Sequence, residues 1–69
     1  MMLTYEEAVL LEMFYEGTRE KTLMHLKTGR IYIAADDYMA AELTDELIYK
    51  LENMTDEEFQ YETEQLKIR

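Results

Sequence analysis

Apolar residues recur along this chain at helical rather than strand spacing. In the first group Leu10, Met13 and Phe14 fall at i, i+3 and i+4, with Val9, Leu11 and Tyr15 widening the stripe. That pattern predicts a helix over residues 5–16, facing the core with those positions and ended by Gly17 in a left-handed conformation. Its start is marked by Leu3-Thr4-Tyr5-Glu6-Glu7, in which a threonine and the glutamate three residues on form a capping box behind an apolar staple. The same signal recurs at Met54-Thr55-Asp56-Glu57-Glu58-Phe59.

Thr18 can cap a second helix from Arg19, with Leu23 and Leu26 turned inward. The short connection predicts that the first two helices are antiparallel neighbours. Thr28-Gly29 reads as a stop, so this helix is expected to end at Lys27 or Thr28. Ile31-Tyr32-Ile33 has strand propensity but no second strand to pair with, so an irregular or helical extension covering the core is expected instead. Asp36 or Asp37 then caps a third helix over 38–53, whose Leu43, Leu47, Leu51 and Met54 form the most regular stripe. Glu46 and Lys50 stand in the favourable i,i+4 order on it. The fourth segment, 56–65, has three acids in its first turn, where the helix dipole favours them. Phe59 should anchor it, while Glu62 and Thr63 interrupt the side shared with Leu66, so the end should fray. The expected fold is all-α, a compact bundle of three to four short helices in one domain over 1–69.

Size supports a single thin core: 69 residues bury roughly 60% of their unfolded surface, for a stability of a few kcal/mol. No cysteine is present, so neither a disulfide nor a thiolate metal site is available, as suits a reducing interior. The first residues meet acid at once without a basic n-region, and no apolar run approaches the roughly 20 residues of a membrane span. A cytoplasmic protein is expected.

Sixteen Asp and Glu against seven Lys and Arg give a formal net charge of -9. Such a field repels phosphate backbones and anionic lipid, which disfavours direct binding to nucleic acid or membrane. It suits solubility, and it would also suit contact with a basic partner.

The side-chain inventory argues against catalysis. Serine and cysteine are absent, and the only histidine, His25, lies on a helix, where a partly exposed face residue is expected rather than a general base. Asp36-Asp37 and Asp56-Glu57-Glu58 lack the alternating acids and central glycine of a calcium loop, and helix capping explains both. With Gly17 and Gly29 the only glycines, no phosphate-cradling loop exists. No cofactor or metal is expected.

The chain is 48% hydrophobic, with six Tyr and six Met, more large apolar surface than a thin core hides. Tyr and Met are favoured at interfaces. Because the helix stripes already supply a core, the surplus falls on Ile31, Tyr32, Ile33, Tyr38 and Met39, the expected partner-binding residues.

Leu3-Thr4-Tyr5-Glu6-Glu7, the corner Tyr15-Glu16-Gly17-Thr18-Arg19 with Leu23 and Leu26 behind it, and Lys50-Leu51-Glu52-Asn53-Met54-Thr55-Asp56-Glu57-Glu58-Phe59 together resemble the transposon-transfer assisting proteins. These are small proteins encoded in conjugative transposons of Gram-positive bacteria. The resemblance spans residues 3–59. Between its ends, Arg30 to Met39 lacks the proline-tyrosine corner and Asp-Pro-Glu-Met helix start of such relatives and is slightly longer. The resemblance implies a helical accessory protein with no catalytic residues to carry over. The expected function is non-enzymatic assistance of element transfer through protein contact. The alternative is an acidic inhibitor or nucleic-acid mimic occupying a basic groove on a DNA-processing protein or regulator.

Overall fold

A computed structural model describes residues 2–66. The expected all-α fold is found: four helices, α1 (Tyr5–Phe14), α2 (Arg19–Ile31), α3 (Tyr38–Asn53) and α4 (Asp56–Gln65), and no strand among the described residues. The expected fraying falls on residues 67–69, outside that range.

Each helix opens on the residue its sequence marks. Thr4 Oγ1 accepts from the Glu7 N–H at 3.2 Å while Glu7 Oε1 accepts from the Thr4 N–H at 2.8 Å. Thr55 and Glu58 repeat the arrangement at 3.0 and 2.8 Å. Thr18 Oγ1 accepts from Lys21 N–H, and Asp37, not Asp36, accepts from Ala40 N–H. These bonds satisfy amide donors that a helix start otherwise leaves open.

The core is Leu11, Leu23, Leu26, Leu47, Leu51, Met54 and Phe59. All of them stand where the stripes or the anchor position put them, although Leu43 is only half-buried.

Four differences from the sequence reading follow from packing. First, α1 ends at Phe14 because Tyr15 turns extended (φ -58°, ψ 131°) and stacks on Phe59, ring centroids 5.9 Å apart. Gly17 does adopt the left-handed conformation (φ 96°), but in the connection rather than beside the last helical residue. Second, α1 buries Leu11 and Glu7, whereas Met13 is 70% and Val9 40% exposed. Val9, Leu10, Leu11, Met13 and Phe14 cannot all point one way on a helix, so periodicity alone does not choose among them.

Third, α2 runs through Thr28-Gly29 to Ile31. Gly29 is helical, and a Cβ there would lie 2.7 Å from Phe14 Cε2. The glycine thus admits the Phe14 ring and does not end the helix. Tyr32 N–H to the Gly29 carbonyl (3.0 Å) and Ile33 N–H to Arg30 (3.3 Å) tighten the last turn. Ile31 and Tyr32, expected to cover the core, are 77% and 82% exposed.

Fourth, the sense of the first pair differs. Glu7 reaches Lys50 and Arg19 reaches the Leu51 carbonyl, both near the C-terminal end of α3. Leu10 and Met13 lie with Leu43, and Arg30 pairs with Asp45, both nearer its start. α1 and α2 therefore each run opposite to α3 and in the same general sense as one another. The extended stretch 15–18 carries the chain back, with Glu16 N–H donating to buried Thr22 Oγ1 at 3.0 Å on the way.

Lys50 also departs from its expected partner, Glu46, and donates to Glu7 Oε1 at 2.7 Å and to the Met2 carbonyl at 3.1 Å. Thr63, expected to interrupt α4, is buried, its hydroxyl donating to the Gln60 carbonyl at 3.0 Å.

Candidate partner-binding surfaces

His25, Asp37, Asp56 and Glu58 are engaged in holding the fold. His25 Nδ1 lies 3.1 Å from the Phe14 carbonyl and 2.9 Å from Glu16 Oε2. Its ring packs 4.6 Å from that of Phe14. The imidazole therefore closes the open C-terminal end of α1, donating through Nδ1 to a carbonyl that has no helical partner. Asp37 caps α3, Asp56 accepts from Arg19 Nε at 2.8 Å, and Glu58 accepts from Thr55 N–H. Among the described residues no three His, Asp or Glu side chains stand where they could share a metal ion.

Among the described residues Glu7 is the least exposed charged side chain, and sequence reasoning gave it only a capping role. Burial pushes its carboxyl up, but hydrogen bonds from Lys50 and the Thr4 N–H, with the Lys50 charge, outweigh that and hold it below its ordinary value. An ion pair this enclosed, 4% exposed on the Glu7 side, fixes α1 against α3 and offers nothing to a substrate.

A depression of about 670 Å³ is open to solvent between the α1–α2 connection and α4. Tyr15 and Phe59 form its apolar wall, and of its charged residues Arg19 and Asp56 pair with each other. It belongs to the seam that docks α4.

Large apolar side chains also face solvent. The five residues marked by the sequence gather at the α2–α3 corner: Ile31, Tyr32, Tyr38 and Met39 are 75–85% exposed and Ile33 is half-buried. The corner is fixed by its turn bonds, by Asp37 N–H to the Ala34 carbonyl at 3.0 Å, and by the forked Arg30–Asp45 pair at 2.8 and 3.3 Å.

A second apolar surface escaped the sequence reading. Tyr5, Val9 and Met13 stand at i, i+4 and i+8 on the outside of α1, and with Leu10 and Leu43 of α3 they line a shallow groove. Met39 lies one turn before Leu43 on the same face of α3, which links the groove to the corner. The signal was available in the sequence, since α1 carries more apolar side chains than one face can bury.

Residues 3–64 match the model of a family described as "Putative transposon-transfer assisting protein". The chain belongs to that family. The match covers α1, α2, α3 and all but the last residue of α4, and includes the corner residues and the groove. No curated protein and no solved structure matches the chain. No helix among the described residues is long and apolar enough to cross a membrane.

Proposed function

We propose that this member of the transposon-transfer assisting family is a non-enzymatic, cytoplasmic accessory protein that assists transfer of a conjugative transposon by binding a protein of the transfer machinery. The observation that carries the reading is the α2–α3 corner, where Ile31, Tyr32, Tyr38 and Met39 stand exposed on a backbone fixed by turn bonds and an ion pair. Large apolar side chains on an ordered surface lose little entropy on binding, and Tyr and Met are residues that interfaces favour. Of the charged groups nearby, Asp37 caps α3 and Arg30 and Asp45 pair with each other, which favours contact over chemistry.

The test is the double variant Tyr32→Ala with Tyr38→Ala. It should keep the wild-type circular dichroism spectrum, since both rings face solvent, and it should lower the transfer frequency of the element in its host. Wild-type transfer by the folded double variant would remove the corner from the mechanism.

The net charge of -9 favours a second reading, an acidic inhibitor or nucleic-acid mimic in a basic groove. Salt separates the two, because a mimic's affinity falls steeply with ionic strength while an apolar contact hardly responds. Charge reversal at Glu57 and Glu58 should then abolish function where the tyrosine pair does not.

A further inference from the structure

We propose that the groove between α1 and α3 receives a basic amphipathic helix of a protein partner, an inference that rests on the reading of this protein as one that acts by contact. Its floor and walls are Val9, Leu10, Met13 and Leu43, with Tyr5 and Glu6 at one end. From Tyr5 to Met13 the rise is about 12 Å, a little over two helical turns. A surface that long between two oppositely directed helices is matched by a third helix presenting apolar anchors at i, i+3 or i+4, and i+7.

Charge decides what surrounds those anchors. α1 and α3 together carry seven acidic residues, Glu6, Glu7, Glu12, Glu42, Asp45, Glu46 and Glu52, and one cation, Lys50. Three of the acids are paired: Glu7 with Lys50, Asp45 with Arg30 and Glu52 with Lys27. Glu6, Glu12, Glu42 and Glu46 are left exposed without a cation among the described residues. Glu6 lines the groove itself, and Glu46 lies one turn beyond Leu43 on α3. An occupant with lysines or arginines flanking its apolar stripe meets Glu6 in the groove and Glu46 beside it within this acidic pair of helices, whereas an acidic or neutral helix leaves them opposed or unmatched. A second copy of this chain is disfavoured on the same ground, because a two-fold contact sets like carboxylates against one another.

The probe is a synthetic peptide of about 18 residues, long enough to be helical, with leucines on one face and lysines elsewhere. It is compared with a scrambled isomer of the same composition and with a leucine–glutamate analogue. Binding is read by fluorescence anisotropy and mapped by amide chemical shifts on the whole chain. The Leu/Lys helix should bind at least about tenfold more tightly than either control, with shifts confined to residues 5–13 and 39–46.

Met13→Lys and Met24→Lys form a matched pair: the two methionines are 70% and 69% exposed, and each substitution changes the net charge equally. Met13→Lys should weaken the peptide at least about tenfold, and Met24→Lys less than about twofold. Equal loss in both, equal binding of the scrambled isomer, or shifts centred on α4 would overturn the proposal in favour of bulk charge. A dimer in sedimentation that Met13→Lys dissociates would overturn it in favour of a second copy. Loss of peptide binding in Met13→Lys with wild-type transfer frequency would also overturn it, while leaving contact through Tyr32 and Tyr38 standing. Failure of the tyrosine pair alone, with transfer lost in Met13→Lys, would remove the corner and keep the groove.

Discussion

α1 and α4 begin with the same local device and end in different environments. Thr4 and Glu7 close their box at 3.2 and 2.8 Å, and Thr55 and Glu58 close theirs at 3.0 and 2.8 Å. Yet Glu7 is buried against α3 with Lys50 on the same oxygen, whereas Glu58 is exposed at the start of α4. The local pattern fixes the hydrogen bonds, because Ser or Thr followed by Glu at the third helical position satisfies two amides in any helix. What those bonds contribute depends on the neighbour: in α1 the carboxylate also meets a half-buried ammonium, and one substitution there leaves two elements unpaired.

The largest effect should expose that difference. Glu7→Ala removes a cap acceptor and strands Lys50, costing about 3 kcal/mol, at the low end for a buried pair because Lys50 keeps some access to water. Glu58→Ala should move the denaturant midpoint far less. Equal shifts would show that burial against Lys50 does not set Glu7 apart from Glu58. Lys50→Met, which keeps the aliphatic stem, should recover part of the loss when combined with Glu7→Ala, because the stranded charge is gone.

At an intermediate size, Thr4→Ala and Thr55→Ala should each cost about 1 kcal/mol, since each removes one hydroxyl acceptor. A much larger loss at Thr4, by the same midpoint measurement, would mean that its cap also positions Glu7 for Lys50.

The smallest effect is a pH dependence. Glu7 has its carboxyl held below the ordinary value of 4.5 in the folded state, so its contribution is complete above that value and is lost as pH falls through the lower folded one. Glu58 shares the direction through the Thr55 N–H. Between about pH 6 and pH 3, Glu7→Gln should therefore lose less stability than wild type in thermal unfolding. Identical acid profiles would show that the Lys50 pair does not survive in solution.

Much of the core was legible because its residues obey one period. Leu43, Leu47, Leu51 and Met54 repeat without competition, and α3 spans the expected 38–53. Leu23, Leu26 and Phe59 are buried as read. α1 was harder because its apolar residues are nearly continuous: Met13 and Val9 were assigned inward, and the groove they line with Leu43 was invisible as a result. The exposure of Ile31, Tyr32, Tyr38 and Met39 at the α2–α3 corner was legible because they were surplus to any stripe, a criterion that asks nothing about tertiary contacts.

The sequence by itself determined what depends on neighbours a few residues apart: the four helix starts, the all-α class, the left-handed Gly17, and the family to which the chain belongs. Tertiary structure alone decided what depends on residues far apart in the chain. Gly29 stays helical because Phe14 lies against it, Glu7 stays charged inside because Lys50 reaches it, and α1 runs with α2 because both pack against α3. Capping and periodicity are short-range and repeat wherever their residues occur, whereas a ring against a glycine or an ammonium on a buried carboxylate exists only once the helices have packed.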